Sequence, residues 1–391
     1  MRIVDVCAFY APQGGGVKTY VDRKLRAAEE AGHEMIVLAP ASEERTERIG
    51  KRARIEHVLG RRFPLDPRYH MFTDEEALHA RLDQLAPDVV EMSSPWQSAS
   101  MLARWRAPVP RTLVMHADPL SAYAYRWFGS LVSRPVIDAG FGWFWRHLRR
   151  LDQSYDQVIV ANSGLADRLR EGGLRRVTLN PMGVARGLFS PALRDPELRR
   201  HMLRLCNLGE DATLFVAAGR LAPEKRLPML VEAVTRAGYD RPVGLLLLGE
   251  GRAQAEVARA IAGNPHIRIH APVRDRALFA RWLASADALL HGCEAETFGM
   301  VAAEARAAGL PLIVPDSGGA PDQLRPGAGI AYRAADPAAL QQALDAFLGG
   351  DRPAFRAAAE AAARNVRFME DHFDALFADY GHLIRGERHA A

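Results

Sequence analysis

Cysteine is scarce: Cys7, Cys206 and Cys293 are the only three in 391 residues. Scattered and odd in number, they offer neither a disulfide framework nor metal-ligand spacing, and they suit buried thiols in a reducing cytoplasm. Long apolar runs are missing too. No stretch approaches the roughly 18 residues that mark a membrane-spanning helix, so none is expected. The opening, MRIVDVCAFYAPQGGG, puts Asp5 inside a short apolar stretch and runs straight into glycines, the pattern of a first strand and not of a secretory signal. No internal repeat stands out. Lysine is nearly absent, supplying four of the 51 cations, so the net charge of +4 is arginine's. The charge is uneven: residues 1–190 hold 27 Lys+Arg against 22 Asp+Glu, the remainder 24 against 25.

What is present bounds the class. A hydrophobic content of 48% with 25% charged residues is ordinary for a soluble globular protein. The length suits two domains, each with its own core. An arginine-rich first half can meet nucleic acid, an anionic membrane surface or an acidic acceptor. A GC-rich genome gives the same arginine excess. A nucleic-acid role rests on the pI of 9.1 alone and lacks a reading element, so no nucleic-acid partner is expected.

Chemistry concentrates in DALLHGCEAETFGMVAAEARAAGLPLIVPDSGGAPDQL, which begins at Asp287. It reads as strand (Ala288 to His291), polar loop, helix (Phe298 to Ala308), strand and glycine-rich loop, with Gly309 closing the helix. Glu296 and Glu304 stand eight positions apart. Across the helix start, eight helical residues rise roughly 12 Å and turn the two side chains only about 80° apart. Between them the Phe298, Gly299, Met300 and Val301 amides are first-turn donors, a ready anion site. Two acceptors flanking an anion site suit a nucleotide sugar, with hydroxyls at both ends and a diphosphate between. Solvated glutamates on an ordinary helix are the plain alternative.

The N-terminal pattern is βαβ: a strand at 2–9, the Gly14–Gly16 loop, a helix from Val17 to Ala31, and a strand from Met35 to Ala39. Gly15 and Gly16 let backbone amides approach a phosphate. The full G-x-G-x-x-G spacing and an acid ending the second strand are lacking, which disfavours a nicotinamide cofactor. Residues 40–75 are charged and give no clear element. His116 follows the strand Arg111 to Met115, where α/β folds bind ligands. A histidine held in a turn is the alternative. Residues 120–150 mix Trp127, Trp143, Trp145, Phe128, Phe141 and Phe144 with five arginines. That mixture suits a membrane interface; helices packed on a sheet with arginines in solvent are the plainer alternative. In the second half, Gly219-Arg220 and Lys225 follow the strand Thr213 to Ala218, within reach of a diphosphate.

ETFG…AEA.A.G.P.I, the GRLAPEKR loop and GGGVKTYVDRKLRAAEEAGHE together resemble retaining glycosyltransferases of family 4, over nearly the whole chain. The resemblance implies a GT-B fold: two α/β Rossmann-like domains, each with a parallel sheet, facing across a cleft. The boundaries expected are 1–187, 188–365, and a last helix, 366–391, crossing back to the first domain. It implies retaining transfer of a hexose from a UDP- or GDP-sugar to a hydroxyl. Arg220 and Lys225 would hold the diphosphate, Glu304 the ribose, Glu296 the hexose and Val273 the base, while His116 would contact the sugar or the acceptor. The hinge Asn180-Pro181-Met182-Gly183-Val184 departs from the usual Asn-Gly-Val-Asp run, with Met182 and Ala185 replacing common donor contacts. No Asp-x-Asp pair stands in place, so neither metal nor cofactor is expected beyond the nucleotide-sugar co-substrate. A lipid or lipid-linked acceptor is expected, with a cytoplasmic protein touching the inner membrane face peripherally. A nucleotide-sugar hydrolase or epimerase, a phosphorylase, or a non-catalytic sugar- or lipid-binding protein remain alternatives.

Overall fold

The computed structural model describes residues 1–11, 16–64, 66, 69–116, 136–137 and 140–387. The described residues form two units: one from Met1 to Pro181 that takes the chain back from Glu370, the other Met182–Met369. Apolar runs such as Ile3–Val4 and Leu245–Leu248 are buried on both strand faces, which is why they read as continuous rather than alternating.

The first unit contains strands β1 (Arg2–Val6), β2 (Glu34–Ala41), β3 (Arg45–Arg48), β4 (Ala53–Leu59), β5 (Arg61–Arg62), β6 (His70–Met71), β7 (Val89–Met92), β8 (Arg111–Val114), β9 (Gln157–Val160) and β10 (Val177–Leu179). Its eight-stranded sheet has the order β10-β9-β8-β7-β1-β2-β4-β3, parallel except where β3 meets β4. The tract without a clear sequence reading thus forms an edge. Every residue of β3, RTER, is exposed, and its charges disfavour pairing with another chain. Described helices here are α1 (Gly16–Glu30), α2 (Glu75–Leu85), α3 (Gln97–Arg104), α4 (Gly142–Ser154) and α5 (Ser163–Glu171). Asp74 caps α2 by accepting from the Ala77 amide, and Asn162 caps α5 by accepting from Leu165. The last helix, Met369–Ile384, belongs to this unit from Glu370 on.

The second unit holds α6 (Pro196–Leu205), β11 (Thr213–Ala218), α7 (Leu227–Ala237), β12 (Val243–Leu248), α8 (Gln254–Ile261), β13 (Ile267–His270), α9 (Arg276–Ser285), β14 (Ala288–Leu290), α10 (Met300–Ala307), β15 (Leu312–Pro315), β16 (Gly329–Tyr332), α11 (Pro337–Gly349) and α12 (Arg352–Ala362). Its sheet runs β13-β12-β11-β14-β15-β16, all parallel. Phe215 and Leu245 face a core shared with α7 and α11; Leu214 and Leu246 face one shared with α6, α9 and α10. Helices on both faces of a parallel sheet give each unit the Rossmann-like architecture of the GT-B class. Gly183 leaves room for a close backbone approach. A Cβ there would stand 2.1 Å from the Phe368 carbonyl carbon, beside the bridge of Val184 with Phe368, in which the Val184 amide donates to the Arg367 carbonyl and the Met369 amide to the Val184 carbonyl. Among the described residues no helix is long and apolar enough to cross a membrane.

Candidate active site

In the second sheet the strand order reverses between β11 and β14, and open α/β sheets bind ligands past the carboxyl ends of the strands at such a reversal. The loop after β11 carries Arg220, Lys225 and Arg226; the loop after β14 carries His291, Glu294 and Glu296. The side chains meet. Lys225 forms a salt bridge to Glu296, and Arg226 Nε donates to Glu294 Oε2 at 2.8 Å. Burial works to raise the Glu296 carboxyl, but the Lys225 charge, helped by Arg220, outweighs it and holds the group below the usual carboxylate range. Burial likewise opposes the Lys225 ammonium, and Glu296 keeps its pKa above the ordinary lysine value. Both groups are therefore charged at neutral pH. Arg220 bonds Glu224 at 2.9 Å, yet 68% of its side chain is exposed, free to meet a ligand.

His291, read in the sequence as the end of a strand, stands beside Glu296. Its Nε2 stands 3.7 Å from Glu296 Oε1, and burial pulls its pKa down to about 4, so it is neutral at pH 7. The backbone fixes it: its amide donates to the Ile313 carbonyl and its carbonyl accepts from the Tyr332 hydroxyl at 2.6 Å.

The helix that follows starts later than its sequence suggests. Gly299 is the cap, at φ +78°, so α10 begins at Met300 and excludes Phe298 and Gly299. Glu296 lies in the loop, four residues before the helix, and the eight-residue helical ruler between it and Glu304 does not apply. The first-turn donors are the Met300, Val301 and Ala302 amides; Ala303 already bonds the Gly299 carbonyl. Phe298 is buried, and the glycine-rich loop seats on its backbone. A Cβ on Gly319 would stand 2.5 Å from the Phe298 carbonyl carbon, and the Gly319 amide donates to the Glu296 carbonyl at 2.7 Å. Glu304 has a partner the sequence reading missed. Its carboxylate, 7% exposed, pairs with Arg276, 45% exposed, whose guanidinium lies 5.1 Å from the Phe279 ring centre. Val273 is half-buried in the loop before α9, whose cap Asp275 accepts from Ala277 and Leu278.

The first sheet reverses between β1 and β7. Below that point lies a fully buried charge cluster: Lys24 Nζ is 2.6 Å from both Asp5 Oδ2 and Glu91 Oε1. Asp5 pairs directly with Glu91 in register, Ser93 donates to Asp5, and Tyr380 of the last helix donates to Glu91. His116 stands just past β8, its ring edge-on to Tyr20 at 4.9 Å. Burial, then the Lys24 charge, lower its pKa to about 4. Gly16 is the first, exposed residue of α1, with open space where a Cβ would point. Gly15 lies outside the described residues, as do Trp127 and Phe128. In the aromatic stretch, Phe144 and Trp145 are buried while Trp143 is 55% exposed. Among the described residues no three His, Cys, Asp or Glu side chains are grouped to hold a metal ion.

Residues 14–186 match a family model described as Glycosyltransferase Family 4, and residues 212–350 one described as Glycosyl transferases group 1. A GDP-mannose-dependent alpha-mannosyltransferase of Mycobacterium tuberculosis is 31% identical over 331 residues, 83% of this chain and 82% of the relative. The chain belongs to glycosyltransferase family 4. A second relative of this transferase, the GDP-mannose-dependent alpha-(1-6)-phosphatidylinositol dimannoside mannosyltransferase of the same organism, is 30% identical, covering 80% and 79%. Among solved structures, sucrose-phosphate synthase from Thermosynechococcus elongatus matches with a TM-score of 0.75 at 19% identity, over 99% of this transferase and all of that chain. That likeness concerns the fold alone.

Proposed function

We propose that this glycosyltransferase moves mannose, with retention and without a metal ion, from GDP-mannose to a hydroxyl of a lipid or lipid-linked acceptor. The observation that carries the reading is the charged set at the β11/β14 reversal, in a chain whose relatives at 30 and 31% identity both use GDP-mannose. The second relative's acceptor, a phosphatidylinositol dimannoside, favours the lipid. Such an acceptor calls for peripheral contact with the inner face of a membrane.

The division of labour follows from charge. As the bond from the anomeric carbon to the diphosphate breaks, negative charge grows on the leaving oxygens. Arg220, Lys225 and the amides of Met300 and Val301 stabilise it, and fixed cations take the place of a divalent ion. Glu304 accepts the ribose hydroxyls, Glu296 the hexose hydroxyls, and the loop at Val273 meets the base. The acceptor oxygen bonds the same face of the anomeric carbon, and the departing diphosphate oxygen takes its proton. No carboxylate nucleophile is required. We assign contact with the sugar or acceptor to His116, a neutral imidazole, and contact with the diphosphate to Gly15 and Gly16.

A panel of nucleotide sugars scored by thermal shift tests this, because a bound donor raises the melting temperature by mass action. GDP-mannose should give the largest shift. A larger shift with UDP-sugars, or none with any donor, would overturn the donor assignment. Release of free mannose at a useful rate without acceptor would favour a hydrolase.

A further inference from the structure

Away from the charged set, Trp96, Gln97, Trp143, Arg146, His147 and Arg150 line an open cavity of about 500 Å³ on the first unit. Trp143, Arg146, His147 and Arg150 are spaced i, i+3, i+4, i+7 and share one face of α4. The opposite face, including Phe144, Leu148 and Leu151, is buried and anchors the helix. The cavity floor is fixed. His147 Nε2 donates to the Pro95 carbonyl at 2.7 Å, and Trp96 packs on Phe144 with ring centres 5.5 Å apart. The rim is open, with Trp143 55% and Trp96 37% exposed.

Charge decides what fits. Among the described residues no carboxylate lines the cavity and neither Arg146 nor Arg150 has an acidic partner. Elsewhere in the unit Arg54, Arg81 and Arg104 are paired with Glu34, Glu56 and Glu75. Two unpaired guanidinium groups one helical turn apart fit the oxygens of a phosphodiester. Free phosphate gives no role to exposed indoles, whereas indoles at a lipid headgroup bury the ring and keep the N–H wet. We propose that this cavity seats the phosphodiester headgroup of an anionic phospholipid and so holds the first unit on a membrane surface. It extends the lipid-acceptor reading and rests on it for its purpose, though its test involves no transfer.

The test is co-sedimentation of the full chain with phosphatidylcholine vesicles, with and without phosphatidylinositol, at low salt. Wild type should partition onto the anionic vesicles only. The double variant Arg146→Gln/Arg150→Gln should bind them roughly thirtyfold more weakly, about fivefold for each arginine. Trp143→Ala should also weaken binding. The matched control Arg241→Gln/Arg259→Gln removes two exposed arginines from the second unit and should bind as wild type. Wild-type binding by the first double variant, or an equal loss in the control, would overturn the proposal. So would calorimetry in which soluble glycerophosphoinositol binds as tightly as the vesicles, since that assigns the cavity to a free phosphate. Thermal stabilisation by GDP-mannose should be the same in every variant. If GDP-mannose stabilises none of them, the donor reading fails while the vesicle comparison stands.

Discussion

Replacing Glu304 by alanine separates the nucleotide end of the site from the rest of the protein. The fold should tolerate the change, because alanine suits a helix interior and Arg276, already 45% exposed, is released to water and not stranded. Binding should not tolerate it. Hydrogen bonds to a charged group contribute about 1.5–3 kcal/mol, and the low end applies because the ribose must displace or share Arg276. About 2 kcal/mol corresponds to roughly thirtyfold in Kd for GDP, measured by calorimetry. The decisive comparison is 2′,3′-dideoxy-GDP, which lacks the hydroxyls. Wild type should bind this analogue about as weakly as Glu304→Ala binds GDP, and the variant should hardly distinguish the two ligands. If the full loss from Glu304→Ala persists with the dideoxy nucleotide, Glu304 acts elsewhere and the ribose assignment is wrong.

Arg220→Ala should lower transfer by about a hundredfold or more with the melting temperature unchanged, as for loss of one oxyanion-stabilising donor; near-normal turnover would remove Arg220 from the chemistry. His116→Ala should lower kcat more than it weakens donor affinity, and the reverse would take His116 out of the catalytic step. Lys24→Met leaves two carboxylates buried without their cation, and urea titration should find about 3–5 kcal/mol less stability. Burial already raises the Asp5 pKa and the variant removes the Lys24 charge that opposes the rise, so it should regain stability as pH falls from 7 to 5; a constant deficit would contradict this. His291, buried with a pKa of about 4 against an ordinary 6.5, binds its proton more weakly when folded. Its contribution is full above pH 6.5 and is lost as pH falls toward 4, roughly 3 kcal/mol across that window. His291→Gln should flatten the stability profile there, and an unchanged slope would assign the titration to another group.

The fold was largely legible because buried parallel strands read as unbroken apolar runs. Thr213–Ala218 was read to the residue, and Ala288–Leu290 to within one. The start of α10 was misplaced by two residues, since a glycine in the left-handed region ends helical continuity without changing the apolar pattern. The β3–β4 edge was missed because β3 is wholly exposed and β4, though largely buried, carries Arg54, Glu56 and His57 among its apolar residues, which blurs the hydrophobic signal. Lys225 and Glu296 were read as separate contacts to the two parts of a donor, yet they are 71 residues apart in sequence and ion-paired in space. Arg276 with Glu304, and Lys24 with Asp5 and Glu91, are likewise long-range pairs with no local signature. Asp5 inside an apolar run was the one clue to a buried cation. In the aromatic stretch Phe144 and Trp145 pack inside while Trp143 is exposed.

The central claim is mannosyl transfer from GDP-mannose to a lipid. It is tested most directly by incubating the protein with GDP-mannose labelled with carbon-13 at the anomeric carbon and vesicles containing phosphatidylinositol. Lipid extraction and the one-bond carbon–hydrogen coupling at that carbon then report the product. The account predicts label in the lipid fraction with the α configuration of the donor retained. Label remaining in GDP-mannose, label appearing as free mannose, or a β-linked product would contradict it.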